Sequence, residues 1–424
     1  MTVFSSTGSL VSSGPSLEDL RVVYGDLFNG ALAVGPPIPG RLSIINTANR
    51  PWVVMDLAAV KRSFRPNSIR EHYYSPSRRP FDSDGSKTDQ LVRCHVNIAE
   101  LIQSLAEDRP ETLYLRVSPH THSEHLVGLL RAQFPKTRVI VEFYDMSCLF
   151  DRPTLNSIFA ADIEAVDKAI LGCRAAIHLA DAVVVKMGGA EFELWKKDFP
   201  VSFVSYFPSL ESGAAAPTRH GTDNALGPLK ILYAGSLSAR ELIGGTGSVP
   251  GANFVKYFDK LAEKSEFELT IVNGVHGSEA EDSSDKFFAL QARYQDPPRS
   301  TYRRAMSRDI LIEFAGAFDV GLCCAHYKDD VVQQVTRLGL PNRMMSYIAA
   351  GLPVVIDDRF SYAADLVREF GAGLVVPAGD FEAFSAGIIL MNTTQARAGV
   401  RELRRHMLDL NASAELELGH VAEK

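Results

Sequence analysis

Residues 111 to 146 read "ETLYLRVSPHTHSEHLVGLLRAQFPKTRVIVEFYDM", and their apolar positions change period twice. The apolar run Leu113 to Val117 predicts a strand, Leu126, Leu129, Leu130 and Phe134 recur at helical spacing, and Arg138 to Phe143 is a β-branched run. Strand, helix and strand in this order predict a parallel pair joined by a right-handed crossover. The alternation continues through "AAIHLADAVVVKMGGAEFELWKK", with a helix end, a strand at Ala182 to Lys186, a Gly188-Gly189 turn and another helix. The segment "PVSFVSYFP" predicts the strand that closes this half.

Residues 209 to 228, "SLESGAAAPTRHGTDNALGP", have linker composition and no apolar periodicity. A second alternating series follows. Its predicted strands are "KILYAGSL", "FELTIVNG", "DVGLCCA", "LPVVI" and "AGLVVPAGD"; its helices include "SRDILIEFAGAF", "NRMMSYIAAG" and "SYAADLVREFG". The expectation is an α/β chain of two doubly wound Rossmann-like domains facing across a cleft. The boundaries are 1–208, a linker at 209–228, 229–403, and a C-terminal helix at 404–424 returning to the first domain. The length agrees, since 424 residues exceed what one hydrophobic core serves and imply two domains of roughly 200 residues.

Composition removes several function classes. The chain is 46% hydrophobic and 22% charged, with a net charge of −7, so no basic domain for nucleic acid is expected. Cysteines number five, and the only pair close in sequence is the adjacent Cys323-Cys324, unlike a disulfide framework or a CxxC site. Reduced thiols and a cytoplasmic protein are expected. The first residues lack a basic n-region and an apolar h-region, and no run approaches the ~18 apolar residues of a membrane span.

Ligands of open α/β sheets bind beyond the carboxyl ends of the strands, at glycine-opened turns and helix N-termini. In the second half these ends are Gly235-Ser236, Asn273-Gly274, the segment after Cys324, and Asp357-Asp358. Pro341 suits the start of a helix and Gly351 the left-handed position past its end. The helix between them is short, and its N-terminus forms an anion site at Asn342.

The stretch "LPNRMMSYIAAGLPVVI" resembles the segment of GT-B nucleotide-sugar glycosyltransferases that runs proline, basic residue, a helix ending in Tyr-x-Ala-Ala-Gly, then Leu-Pro-Val-Val. "KILYAGSL", "FDVGLCCA" and "GAGLVVPAGD" fall in the order of that fold's donor-binding domain. The N-terminal half is similar only through "VIVEFYDM" and "ADAVVVKMGGAEFEL", as in an acceptor domain. The glycogen-synthase-like retaining group is the nearest in style. Its members carry a pair of glutamates where this chain has Leu338 and Ser346, so donor identity and stereochemistry stay open.

The resemblance implies a nucleotide-sugar donor, a glycan, lipid-linked or protein acceptor, and a hexosyltransferase reaction. Peripheral membrane association stays open. No Asp-x-Asp follows a predicted strand, so fixed cations and amides, rather than a metal, are expected to hold the diphosphate. The donor-binding candidates are Gly235, Ser236, Arg240, Asn273, Gly339, Leu340, Asn342, Arg343 and Ser346, with Arg240 and Arg343 as the cations. In the first half, Asp145 ends the strand that carries Glu142 and Tyr144, where it would orient or deprotonate an acceptor hydroxyl, or else serve a turn. His178 is expected to pack at a helix end.

One motif points elsewhere. His120, His122, Glu124 and His125 are similar to the His-x-His-x-Asp-His zinc signature of metallo-β-lactamase-fold hydrolases, with Glu for Asp. That family needs glycine-rich hairpins before the motif, and here a β/α crossover surrounds it. His122 is therefore also a catalytic candidate, through contact with the acceptor or donor sugar. A zinc hydrolase and a GT-B binding protein without catalysis remain the alternatives.

Overall fold

The computed structural model describes residues 34–47, 57–74, 92–95, 97–117, 125–158, 162–208, 210, 227–245, 252–274, 287–296, 299–327 and 334–423. The chain divides into two compact units: Met1–Tyr206 with Asn411–Lys424, and Phe207–Leu410. Of the expected linker only Leu210, Gly227 and Pro228 lie within the described residues.

The first unit holds a parallel seven-stranded sheet of order β3-β2-β1-β4-β5-β6-β7. The strands are β1 (Ile38–Asn46), β2 (Ser68–Tyr74), β3 (Val92–His95), β4 (Pro110–Val117), β5 (Arg138–Phe143), β6 (Ala182–Val185) and β7 (Ser202–Ser205). The strand expected at Leu113 to Val117 is the second half of β4, and β5 has the expected bounds. The order reverses between β1 and β4, the position where doubly wound sheets open a crevice.

One core of this unit gathers Leu42, Ile44, Tyr114, Ile140, Ala182, Val184 and Val204, and is covered by Ala414 and Leu418. Those last two belong to the helix Thr393–Glu423, whose final turns also carry the ion pair Glu415–Arg62 at 2.7 Å. The C-terminal end of the chain thus packs on the N-terminal sheet.

The second unit holds a parallel six-stranded sheet of order β11-β10-β8-β12-β14-β15 and a two-stranded antiparallel pair, β13-β9. Its strands are β8 (Leu229–Gly235), β9 (Ala252–Asn253), β10 (Phe267–Asn273), β11 (Ser300–Arg303), β12 (Val320–Cys323), β13 (His326–Tyr327), β14 (Val354–Asp357) and β15 (Gly373–Val376). Alternation along central β8 explains the double winding, because successive side chains face opposite sides of a sheet. Leu232 and Ala234 enter a core with the helices Arg308–Ala315, Asn342–Ala349 and Ser361–Phe370. Ile231 and Tyr233 enter the other, with the helices Phe254–Ala262, Phe288–Tyr294 and Phe381–Leu390.

Candidate functional site

The helix Asn342–Ala349 is set by one side chain and closed by one glycine. Tyr347 is fully buried; its hydroxyl accepts the Ala234 amide at 2.8 Å and donates to the Leu232 carbonyl at 3.2 Å. The helix is thereby fastened to the carboxyl half of β8. At its end Gly351 has φ +69°, and Leu352 N–H reaches the Tyr347 carbonyl at 2.9 Å, which closes a Schellman turn. Pro341 is the N-cap, one position before the first helical residue, and makes no side-chain capping hydrogen bond. Asn342 and Arg343 therefore present their amides at the helix mouth, where the dipole favours an anion.

Arg343 reaches back toward the end of β8. Its guanidinium carbon lies 4.8 Å from the Tyr233 ring centroid and 4.5 Å from that of Phe254. A Cβ placed on Gly235 would come within 3.3 Å of that carbon and 2.9 Å of the Tyr233 hydroxyl, so only glycine leaves this space open. Among the described residues no carboxylate pairs with Arg343, and its buried Nη1 has no hydrogen-bond partner. A cation set against two adjoining aromatic rings, with no acid paired to it among the described residues, is prepared for an external anion.

The loop after β8 is braced from below. Asn273 is fully buried; its Oδ1 accepts the Leu237 amide at 3.0 Å, and its Nδ2 donates to the Leu237 carbonyl at 3.2 Å and to Tyr302 Oη at 3.0 Å. Its side chain positions the loop, whereas the sequence suggested direct donor contact. Ser236 accepts the Tyr233 hydroxyl on its carbonyl at 3.1 Å. Ser238 and Glu241 form a capping box, and Glu241 also accepts the Phe254 amide at 2.7 Å. Burial raises the Glu241 carboxyl pKa, against its backbone hydrogen bonds. Arg240 is exposed on this turn, and its carbonyl accepts the Gly245 amide at 2.8 Å.

Gly339 ends the short helix Gln334–Leu338, where a Cβ would meet the Val335 carbonyl at 2.8 Å. The Leu340 side chain is in the core, leaving only its backbone for a ligand. Ser346 lies one turn beyond Asn342 and is partly exposed.

The two aspartates that end β14 hold the neighbouring turns. Asp357 is fully buried, accepts the Tyr327 hydroxyl at 2.7 Å and the Arg359 amide at 3.2 Å, and has its carboxyl pushed up to about 7, mainly by burial. Asp358 accepts the Ala378 amide at 3.0 Å. Tyr233, Phe254 and Glu241 were absent from the sequence-based candidates, and Asp357 was named only as a strand end facing the ligand. The only signal for Glu241 was the Ser-x-x-Glu spacing of a capping box. Phe254 follows an irregular insert, and nothing local announces its place beneath Arg343.

In the first unit Asp145 follows β5 and is partly exposed. Its charge acts on Lys186, whose ammonium lies 4.3 Å from the Tyr144 ring centroid; burial lowers the Lys186 pKa and Asp145 raises it. Glu142 is fully buried and paired with Arg116 Nε at 3.0 Å, so it is structural. His178 packs on Phe199, with centroids 5.4 Å apart. His120, His122 and Glu124 lie outside the described residues, as does the side chain of His125. Among the described residues no group of three His, Cys, Asp or Glu side chains could hold a metal. None of the described helices is long and apolar enough to cross a membrane.

No protein-family model and no curated protein sequence matches the chain. Solved structures do. The E. coli trehalose-6-phosphate structure with UDP-2-fluoro glucose bound superimposes with TM-score 0.53 at 12% identity, covering 91% of this chain and 99% of that one. TarM superimposes with TM-score 0.50 at 12% identity, over 76% of this chain and 57% of that one. With its two doubly wound parallel sheets, the chain has the GT-B fold expected from the segment around Asn342.

Proposed function

We propose that the chain is a glycosyltransferase that moves a sugar from a nucleotide-sugar donor to a glycan, lipid-linked or protein acceptor. The observation that carries this reading is Arg343, a cation that among the described residues has no carboxylate partner, beside Gly235 and the helix mouth at Asn342. A diphosphate there would meet the guanidinium and the amides of Asn342 and Arg343. These groups would stabilise the negative charge that develops on the leaving nucleotide, without a metal. Ser346 is assigned to the ribose, Arg240 to the outer phosphate, and the Gly235-Ser236 and Gly339-Leu340 backbones to the walls. Asp145 is assigned to the acceptor hydroxyl. The structure with UDP-2-fluoro glucose bound supports the donor class through its shared fold. The enzyme would work in the cytoplasm, at the inner membrane face if the acceptor is lipid-linked.

A thermal-shift panel of nucleoside diphosphates and nucleotide sugars tests the reading, because a ligand at 100 times its Kd stabilises by ~2.7 kcal/mol. At least one nucleotide sugar should raise the melting temperature, and the shift should persist in a chelator. A flat response across the panel would overturn the function. A shift abolished by chelator would overturn its metal independence.

A further inference from the structure

The fold brings together two cysteines that the sequence keeps apart. Cys148 sits in the short 3-10 helix Ser147–Leu149, just after Asp145 and Met146, and Cys173 lies within the helix Ile163–Leu179. Their Sγ atoms are 3.4 Å apart across 25 residues, and both are thiols. A disulfide needs about 2.05 Å, so the sulfurs must close by roughly 1.4 Å, a shift within reach of side-chain torsions. Cys173 is fully buried whereas Cys148 is partly exposed, which gives an oxidant access to one sulfur and keeps the other as its resolving partner. Cys323 and Cys324 offer no such route. Both are buried, and burial pushes the Cys323 thiol up to about 12 and that of Cys324 well above its ordinary value.

We propose that Cys148 and Cys173 form a reversible, peroxide-driven disulfide that fastens the turn following Asp145 to the helix Ile163–Leu179. Hydrogen peroxide oxidises the Cys148 thiol to a sulfenic acid and is reduced to water. The Cys173 sulfur then attacks Cys148 Sγ, forming the S–S bond and expelling a second water, so two thiols are oxidised for one peroxide reduced to two waters. A dithiol reductant reverses the bond by exchange. Such a bond suits a reducing compartment, where disulfides are usually transient and regulatory. It goes beyond the glycosyltransferase reading and does not depend on it.

The test treats the whole protein with substoichiometric to tenfold hydrogen peroxide, blocks remaining thiols and maps the peptides by mass spectrometry. The expected result is a Cys148–Cys173 cross-linked peptide, removed by dithiothreitol and absent from Cys148→Ser. Cys173→Ser should instead leave Cys148 as a sulfenic acid, trapped by dimedone. Amide exchange over residues 144–150 should slow severalfold on oxidation. Recovery of both cysteines as blocked thiols or sulfinic acids, or cross-links confined to Cys94, Cys323 or Cys324, would overturn the proposal. Unchanged exchange over 144–150 in the cross-linked protein would overturn the fastening of the turn.

Discussion

The Tyr347 hydroxyl accepts the amide of Ala234 at 2.8 Å, joining the helix of the proposed donor site to the strand whose end forms the opposite wall. A Cβ at Gly321 on neighbouring β12 would lie 2.3 Å from the Tyr347 ring, so the ring fits only because that strand carries a glycine. Tyr347→Phe keeps the ring and leaves a buried N–H without its acceptor, at a cost of about 1–3 kcal/mol. Gly321→Ala forces ring or strand to move, costing roughly 1–3 kcal/mol from overpacking and displacing Arg343 with its helix. Urea denaturation measures the stability of both variants, and nucleotide titration their binding. Retention of parent affinity by Gly321→Ala would show that the helix tolerates displacement and that this packing does not set the site.

Arg343 and Ser346 share the helix and should differ in effect. Arg343→Ala removes a charge-assisted contact and should weaken donor binding by about 1.5–3 kcal/mol, or roughly 10- to 100-fold. Arg343→Lys should recover little, because an ammonium cannot spread over Tyr233 and Phe254 as the planar guanidinium does. Ser346→Ala removes one neutral hydrogen bond, on the order of 1 kcal/mol. Calorimetric Kd values for the three variants decide between them. If Ser346→Ala loses the donor while Arg343→Ala keeps it, the nucleotide lies elsewhere on this face.

Apolar, β-branched strands were legible from sequence: "VVI" before Asp357 and "VIVEF" before Tyr144 stand within a residue or two of their observed bounds. The strands β1, β2 and β3 were not, because "IPGRLSIIN", "SIREHYY" and "VRCH" carry polar side chains. Inside the fold some of these meet partners: His72 on β2 is buried against His95 and Asp108, at 3.1 and 2.9 Å. Hydropathy cannot report such pairs, since each residue reads as polar until its partner arrives from a distant segment. The same holds for the proposed site. Arg343 and Gly235 stood out as a basic residue in a helix turn and a glycine after a strand, both local features. Phe254 and the bracing role of Asn273 depend on contacts across the sheet.

The buried pair Arg116–Glu142, at 3.0 Å, tests how the first unit tolerates charge in its core. Glu142→Leu would leave Arg116 buried and unpaired, costing about 3–5 kcal/mol. Replacing both, as Arg116→Met with Glu142→Leu, should restore most of that loss. Stability measured over the double-mutant cycle checks the sign. A double variant as unstable as Glu142→Leu would show that further contacts of Glu142, such as the one to Tyr114, outweigh the pair.

Two buried groups make opposite demands on pH. Burial, opposed by Asp108, lowers the His72 pKa to about 4, so the folded chain keeps this imidazole neutral while the unfolded chain takes up a proton near 6.5. Its stabilising contribution is present above about pH 6.5 and is lost as pH falls toward 4. His95, also lowered by burial, acts in the same direction, with Arg93 and Glu100 as its other charged neighbours. Asp357 does the reverse. Its folded pKa is raised from 3.8 to about 7, so the unfolded chain releases the proton first and stability falls as pH rises from about 4 to 7. Each contribution is on the order of 3–4 kcal/mol at most, and over the shared window the two largely cancel in a global melt. Variants separate them. Relative to the parent, Asp357→Asn should grow more stable as pH rises from 4 to 7, and His72→Gln less stable over 4 to 6.5. The location can be read independently, because amide exchange on β2 should respond to His72→Gln and on β14 to Asp357→Asn. Difference curves with the same sign in both variants would show that these two groups do not titrate as their burial requires.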